Sequence, residues 1–116
     1  MLTEEVYIPK IKLNIKFLIG KNANDNFTII DQSDENDLWF HINDGPSCHV
    51  IACIHEYNIH KKDLKYVIKQ GGIICKKHSK YKSDKNISII YTKIKNIQKT
   101  DIPGSVLTAS YLTIVM

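Results

Sequence analysis

The sequence predicts an α+β fold: a mostly antiparallel sheet of five to six strands with two helices packed on it. Three observations carry the prediction. "KIKLNIKFLIG" (10–20) and "NISIIYTKIKNI" (86–97) alternate apolar with polar residues, as half-buried strands do. The run 61–80 instead repeats its apolar residues at helical spacing. "NDGP" separates two apolar segments with turn chemistry, so neighbouring strands pair as a hairpin. At 116 residues the chain suits one domain, 1–116, with enough length to bury a core.

The elements follow in order. "EEVYIP" reads as a short strand that Pro9 confines to a sheet edge. In 10–20, Ile11, Leu13, Ile15 and Phe17 fall on one side and Lys10, Lys12, Asn14 and Lys16 on the other. A short helix at about 22–31 would gather Ala23, Phe27 and Ile30. Strands 37–43 and 47–54 flank Asp44-Gly45. The helix at 61–80 lines up Leu64, Val67, Ile68, Gly71 and Ile74 or Cys75, with Lys62, Lys65, Lys69 and Lys76 on another face. Gly71 and Gly72 each cost such a helix about 1 kcal/mol relative to alanine, which a close approach to the sheet would offset; the alternative is a break there. "QKTDIPGS" turns around Pro103-Gly104, and "VLTASYLTIVM" supplies one or two final strands. With strands paired as hairpins, both helices are expected on one face.

Composition narrows the function classes. No apolar run approaches the ~20 residues of a membrane span, and the acidic N-terminus does not resemble a signal peptide, so an intracellular protein is expected. Cys48, Cys53 and Cys75 are odd in number and lack CxxC spacing, which argues against a disulfide framework or a cysteine zinc site. Charge is uneven: four lysines face nine acids in 1–60, a net of −5, whereas twelve lysines face three aspartates in 61–116, a net of +9. A basic face of that kind attracts polyanions. None of the 16 basic residues is arginine, and lysine meets phosphate as a point charge without a bidentate fork, favouring backbone attraction over base reading.

The stretch "DLWFHINDGPSCHV" (37–50) holds the candidate site. In a strand, Leu38, Phe40 and Ile42 share one face and Asp37, Trp39 and His41 the other. An odd loop of Asn43, Asp44 and Gly45 would set Trp39 opposite His49 on one face; an even loop would move His49 to the face of Phe40. Sequence leaves that parity open. Three readings follow. Asp37, His41 and His49 could form an acid–base or metal-binding set in an enzyme acting on RNA. They could brace the turn, with Trp39 packed under the 61–80 helix. Or an exposed Trp39 could stack on a base while lysines meet phosphates. No nucleophile elbow or phosphate loop accompanies the set. A protein–protein adaptor using the hairpin edge is a further alternative. His55, His60 and His78 read as surface residues.

Taken together, D-x-W-x-H at 37–41, P-S-x-H-V at 46–50, a helix with a small-residue pair, "IIYTKIKNIQK" and "PGSV" resemble the NFACT-R domain. That domain is the RNA-associated part of the large ribosome-associated quality-control factors and also occurs in stand-alone proteins, the form this chain resembles. The resemblance runs from about Lys16 to the C-terminus. On it, Asp37, Trp39 and His41 match the first motif, and Ser47, His49 and Val50 the second. Gly71 and Gly72 match the small residues; Tyr91, Thr92 and Lys95 the strand with tyrosine and basic residues; Lys99 and Gly104 the closing basic and glycine positions. Cys48 interrupts the family's usual P-G-S-H, and its arginines are absent.

What the resemblance implies is a non-catalytic, cytoplasmic module that binds RNA, ribosomal or transfer, and is linked to translation quality control. No cofactor, metal or membrane is implied, and whether the chain self-associates does not follow. The expected nucleic-acid contacts are Trp39, His41, Lys65, Lys69, Tyr91, Lys93, Lys95 and Lys99. Asp37, Ser47, His49, Gly71, Gly72 and Gly104 are expected to shape the motif.

Overall fold

A computed structural model describes residues 1–116. The chain runs β1 (Leu2–Ile8), β2 (Leu13–Ile19), α1 (Ala23–Asp31), β3 (Leu38–Ile42), β4 (Val50–Cys53) and α2 (Leu64–Lys77), then β5 (Ser88–Lys93), β6 (Ile97–Lys99), β7 (Val106–Thr108) and β8 (Leu112–Val115). The main sheet has the order β1-β2-β4-β3-β5-β8, antiparallel throughout, and β6–β7 forms a separate two-stranded ribbon. The α+β class and the antiparallel sheet are as the sequence predicts.

The period of two along each strand decides what lies above and below the sheet. Phe17, Phe40, Val50, Ala52 and Ile89 point to one face, where Val67, Ile74 and Cys75 of α2 cover them. Leu18, Trp39 and Ile51 point to the other, under Ile29 and Ile30 of α1, with Ile97 and Val106 of the ribbon alongside. The helices therefore straddle the sheet instead of sharing one face. The central strand β3 explains why: Leu38, Trp39 and Phe40 are all buried, so both of its sides need a cover. Trp39 packs under α1, not under α2, because Phe40 takes the α2 side. Within α1, Ile29 and Ile30 are buried, Phe27 is half-buried and Ala23 is exposed at its start.

Two departures from the expected elements have local causes. The strand expected over 86–97 ends at Lys93, where a 3₁₀ turn at Ile94–Asn96 redirects the chain. Ile94 then closes the α1-side core, its N–H donating to the Asp37 carbonyl (2.9 Å), while the Lys95 N–H donates to Glu35 (3.0 Å). The helix expected over 61–80 begins as a 3₁₀ turn at Lys61–Asp63 and ends at Lys77. Gly71 sits where α2 crosses β3, and a Cβ there would come within 2.2 Å of the Phe40 ring. Close packing is thus the reason for that glycine. No helix is long and apolar enough to cross a membrane.

Candidate nucleic-acid interface

The β3–β4 register pairs Leu38 with Ala52, Trp39 with Ile51 and Phe40 with Val50, which sets His41 opposite His49. The two imidazoles therefore share the Trp39 face, the outcome an odd loop requires. The connection is wider than three residues. Ile42 N–H donates to Ser47 Oγ (3.1 Å) in place of a strand partner, and Asp44 turns the chain at φ 58°. The Ser47 hydroxyl thus takes the place of a strand carbonyl as the acceptor for Ile42 N–H.

Three rings then form one cluster. Trp39 and His41 stack at 5.6 Å and 12°, as same-face neighbours two residues apart do. His49 stands edge-on to both, 5.3 Å from Trp39 and 5.2 Å from His41. Trp39 is 1% exposed, so its faces offer no platform to a base; the exposed stacking surface considered from sequence is absent. His49 is equally buried, and neither its Nδ1 nor the indole Nε1 has a hydrogen-bond partner. Burial, and to a lesser degree the adjacent His41, lower the His49 pKa to about 3 against the raising effect of a hydrogen bond with the Gly104 backbone. Burial also lowers that of His41, although its ring Nδ1 donates to the Ile42 carbonyl (2.6 Å). Both imidazoles are neutral at pH 7.

Asp37 is not part of this cluster. Its carboxylate, 1% exposed, accepts from Ile54 N–H (2.8 Å), His55 N–H (2.9 Å), His55 Nδ1 (3.0 Å) and Asp34 N–H (2.9 Å). It ties the segment before β3 to the segment after β4, at the opposite end of β3 from His41. The acid–imidazole set on which a catalytic reading would rest is therefore split. No three His, Cys, Asp or Glu side chains converge as metal ligands.

The half-exposed edge of the cluster opens into a groove of about 520 Å³. His41, Ser47 and His49 form one wall. Lys21, Asn22 and Ala23, at the start of α1, form the second, and Lys80 and Gly104 close the ends. α1 is fixed there by its own sequence: Asn22 caps the helix by accepting from Asp25 N–H (2.8 Å), and Asn26 Oδ1 accepts from the His49 N–H (3.1 Å). Gly104 adopts φ 81° and lies so close to Ala23 that a Cβ would come within 3.0 Å of it. No carboxylate lines the groove, and the Lys21 and Lys80 ammonium groups are in no ion pair. Lys21, Asn22 and Lys80 were not singled out from sequence. Only the helix start near residue 22 was legible; the approach of residue 80 is a product of the fold.

The other expected residues fall elsewhere. Lys65 and Lys69 lie on α2, across the sheet from Lys99 in β6. Lys99 binds Asp31 (2.5 Å) and sits over the Phe27 ring. Lys95 is in the 3₁₀ turn after β5. Tyr91 is half-buried against Phe40 and, with Lys93, lines a second hollow of about 420 Å³ beside the start of α2. Gly71 and Gly72 lie within α2, facing Phe40 and Met116 and outside the groove. His55 and His78, expected at the surface, lie within hydrogen-bond distance of the carboxylates of Asp37 and Glu4, each at 3.0 Å.

The C-terminal part of a fibronectin/fibrinogen-binding protein from Streptococcus suis has a similar structure, with a TM-score of 0.75 and 21% identity. The similarity covers 87% of this chain but 40% of that one, and it establishes the shared fold. No curated protein matches the sequence. A family model described as the NFACT protein RNA binding domain matches residues 6–115, and the chain belongs to that family.

Proposed function

We propose that this chain holds RNA by its phosphate backbone across the groove between the start of α1 and the β3–β4 connection. The observation that carries the reading is a convergence. His41, Ser47, His49 and Gly104 lie up to 63 positions apart in the sequence, yet they share one groove that contains two unpaired lysines and no acid. Lys21 and Lys80 supply point charges, and the positive end of the α1 dipole lies at the same wall. Neutral His41, its Nδ1–H engaged with the Ile42 carbonyl, keeps Nε2 as an acceptor for a ribose 2′-hydroxyl. The buried Trp39–His49 pair supports that wall from beneath. We further propose a ribosome- or tRNA-associated role in translation quality control, in the cytoplasm.

Binding to single-stranded RNA homopolymers, followed by fluorescence anisotropy from low to moderate salt, tests the proposal. Affinity should fall steeply with salt. The Lys21→Ala/Lys80→Ala double variant should bind more weakly, and its log–log salt slope should be shallower by about 1.4, or ~0.7 per lost phosphate contact. Salt-independent binding, or an unchanged slope in the double variant, would overturn it.

A further inference from the structure

The second hollow lies beside the β8 edge, away from the imidazole groove. Tyr91 and Leu38 form its floor, Leu64 and Ile68 of α2 one side, and Tyr111 and Leu112 the other. Its volume, about 420 Å³, accommodates a planar heterocycle. Tyr111 is 50% exposed and Leu112 64% exposed, an unusual amount of apolar surface to leave at the edge of a small domain. Lys61 and Lys93 stand on the rim, neither in an ion pair, and no carboxylate lines the hollow. Polar groups are few. Asn96 donates from Nδ2 to Thr92 (2.9 Å), which leaves its Oδ1 free, and the Ser110 hydroxyl has no partner.

We infer that this hollow accepts an unpaired nucleobase stacked against Tyr111, with the flanking phosphates held by Lys61 and Lys93. An aromatic face with apolar walls suits a base, which stacks without regard to sequence. Two unpaired ammonium groups at the rim suit the negative charge on either side of a nucleotide, whereas an apolar peptide would leave both without a counter-charge. Asn96 Oδ1 and the Ser110 hydroxyl can meet a base edge. The indole at position 39 is sealed in the core, and Tyr111 is the exposed ring at this hollow that can take a stacking role. The inference rests on the RNA-binding reading and adds to it that the RNA must present an unpaired base.

The test uses the full chain and a short single-stranded RNA carrying one 2-aminopurine, with a blunt RNA duplex of equal length as the contrast. Stacking should quench the probe on binding. Tyr111→Ala should abolish the quench and weaken single-strand binding about tenfold or more while leaving the salt slope unchanged, because no phosphate contact is lost. Tyr111→Phe should retain both quench and affinity. The blunt duplex should bind Tyr111→Ala and the parent chain alike. A parent chain that binds single strands without quenching, or a Tyr111→Ala variant that quenches normally, would overturn the base site and leave the groove reading intact. Concentration-dependent dimerisation that RNA does not reverse, and that Tyr111→Ala abolishes, would assign the hollow to a second copy of the chain and overturn the inference. Absence of RNA binding by the parent chain at low salt would overturn both readings.

Discussion

His49 connects the site to stability through its proton. Its folded pKa of about 3 lies below the usual 6.5, so the folded chain resists protonation that the unfolded chain accepts. The stabilisation is complete above the unfolded value and is lost as pH falls from about 6.5 toward 3, by ~1.4 kcal/mol per pH unit from this group. His41 is shifted the same way by burial. His55 is shifted upward, chiefly by its hydrogen bond to Asp37; its contribution is complete below the ordinary value and fades as pH rises through the raised one. His55 is exposed and screened by solvent, so His49 should dominate. Urea unfolding at pH 7, 5.5 and 4.5 should show stability declining toward acid, and His49→Gln should flatten that decline. An equal decline in the variant would show that other groups set the acid limb.

The two glycines of α2 separate at the scale of the element. From sequence both read as helix-weakening residues tolerated for close packing. Only one has a rigid neighbour: Gly71 faces the buried ring of Phe40, whereas Gly72 faces the flexible Met116 side chain at 3.1 Å. Alanine gains about 1 kcal/mol of helix propensity at either site. Overpacking against a fixed ring costs about 1–3 kcal/mol and outweighs that gain. Gly71→Ala should therefore destabilise the protein by about 1–2 kcal/mol in urea unfolding. Gly72→Ala should be close to neutral or stabilising. The same packing logic explains β5: its alternation was legible, but its end at Lys93 was not, because Ile94 leaves the strand to close the core under α1.

Over the whole molecule, the basic second half of the sequence does not gather beside the indole. Lys65 and Lys69 lie on α2 and Lys99 on the opposite side of the sheet, while Lys21, from the acidic half, joins Lys80 at the groove. An RNA strand meeting the groove would still encounter the field of the distant lysines. Replacing Lys93, Lys95 and Lys99 together with alanine should lower RNA affinity, yet change stability by no more than about 1 kcal/mol, since exposed ion pairs such as Lys99–Asp31 contribute little. Anisotropy and urea unfolding on the same preparation check both parts. Unchanged binding would remove these three from the interface.

The sequence by itself determined the α+β class, the half-buried strands, the two helices and the hairpin around Asp44-Gly45, because periodicity and turn chemistry are local properties of the chain. It also supplied the residues His41, Ser47, His49 and Gly104 through the family motif. Only the tertiary structure decided where they lie. Whether Trp39 met solvent or core depended on α1 covering the second face of β3. The separation of Asp37 from the imidazoles depended on which backbone donors its carboxylate reached. The groove itself exists because the start of α1, the end of α2 and the turn at Gly104 meet there, and such long-range contacts leave no periodic trace in the sequence.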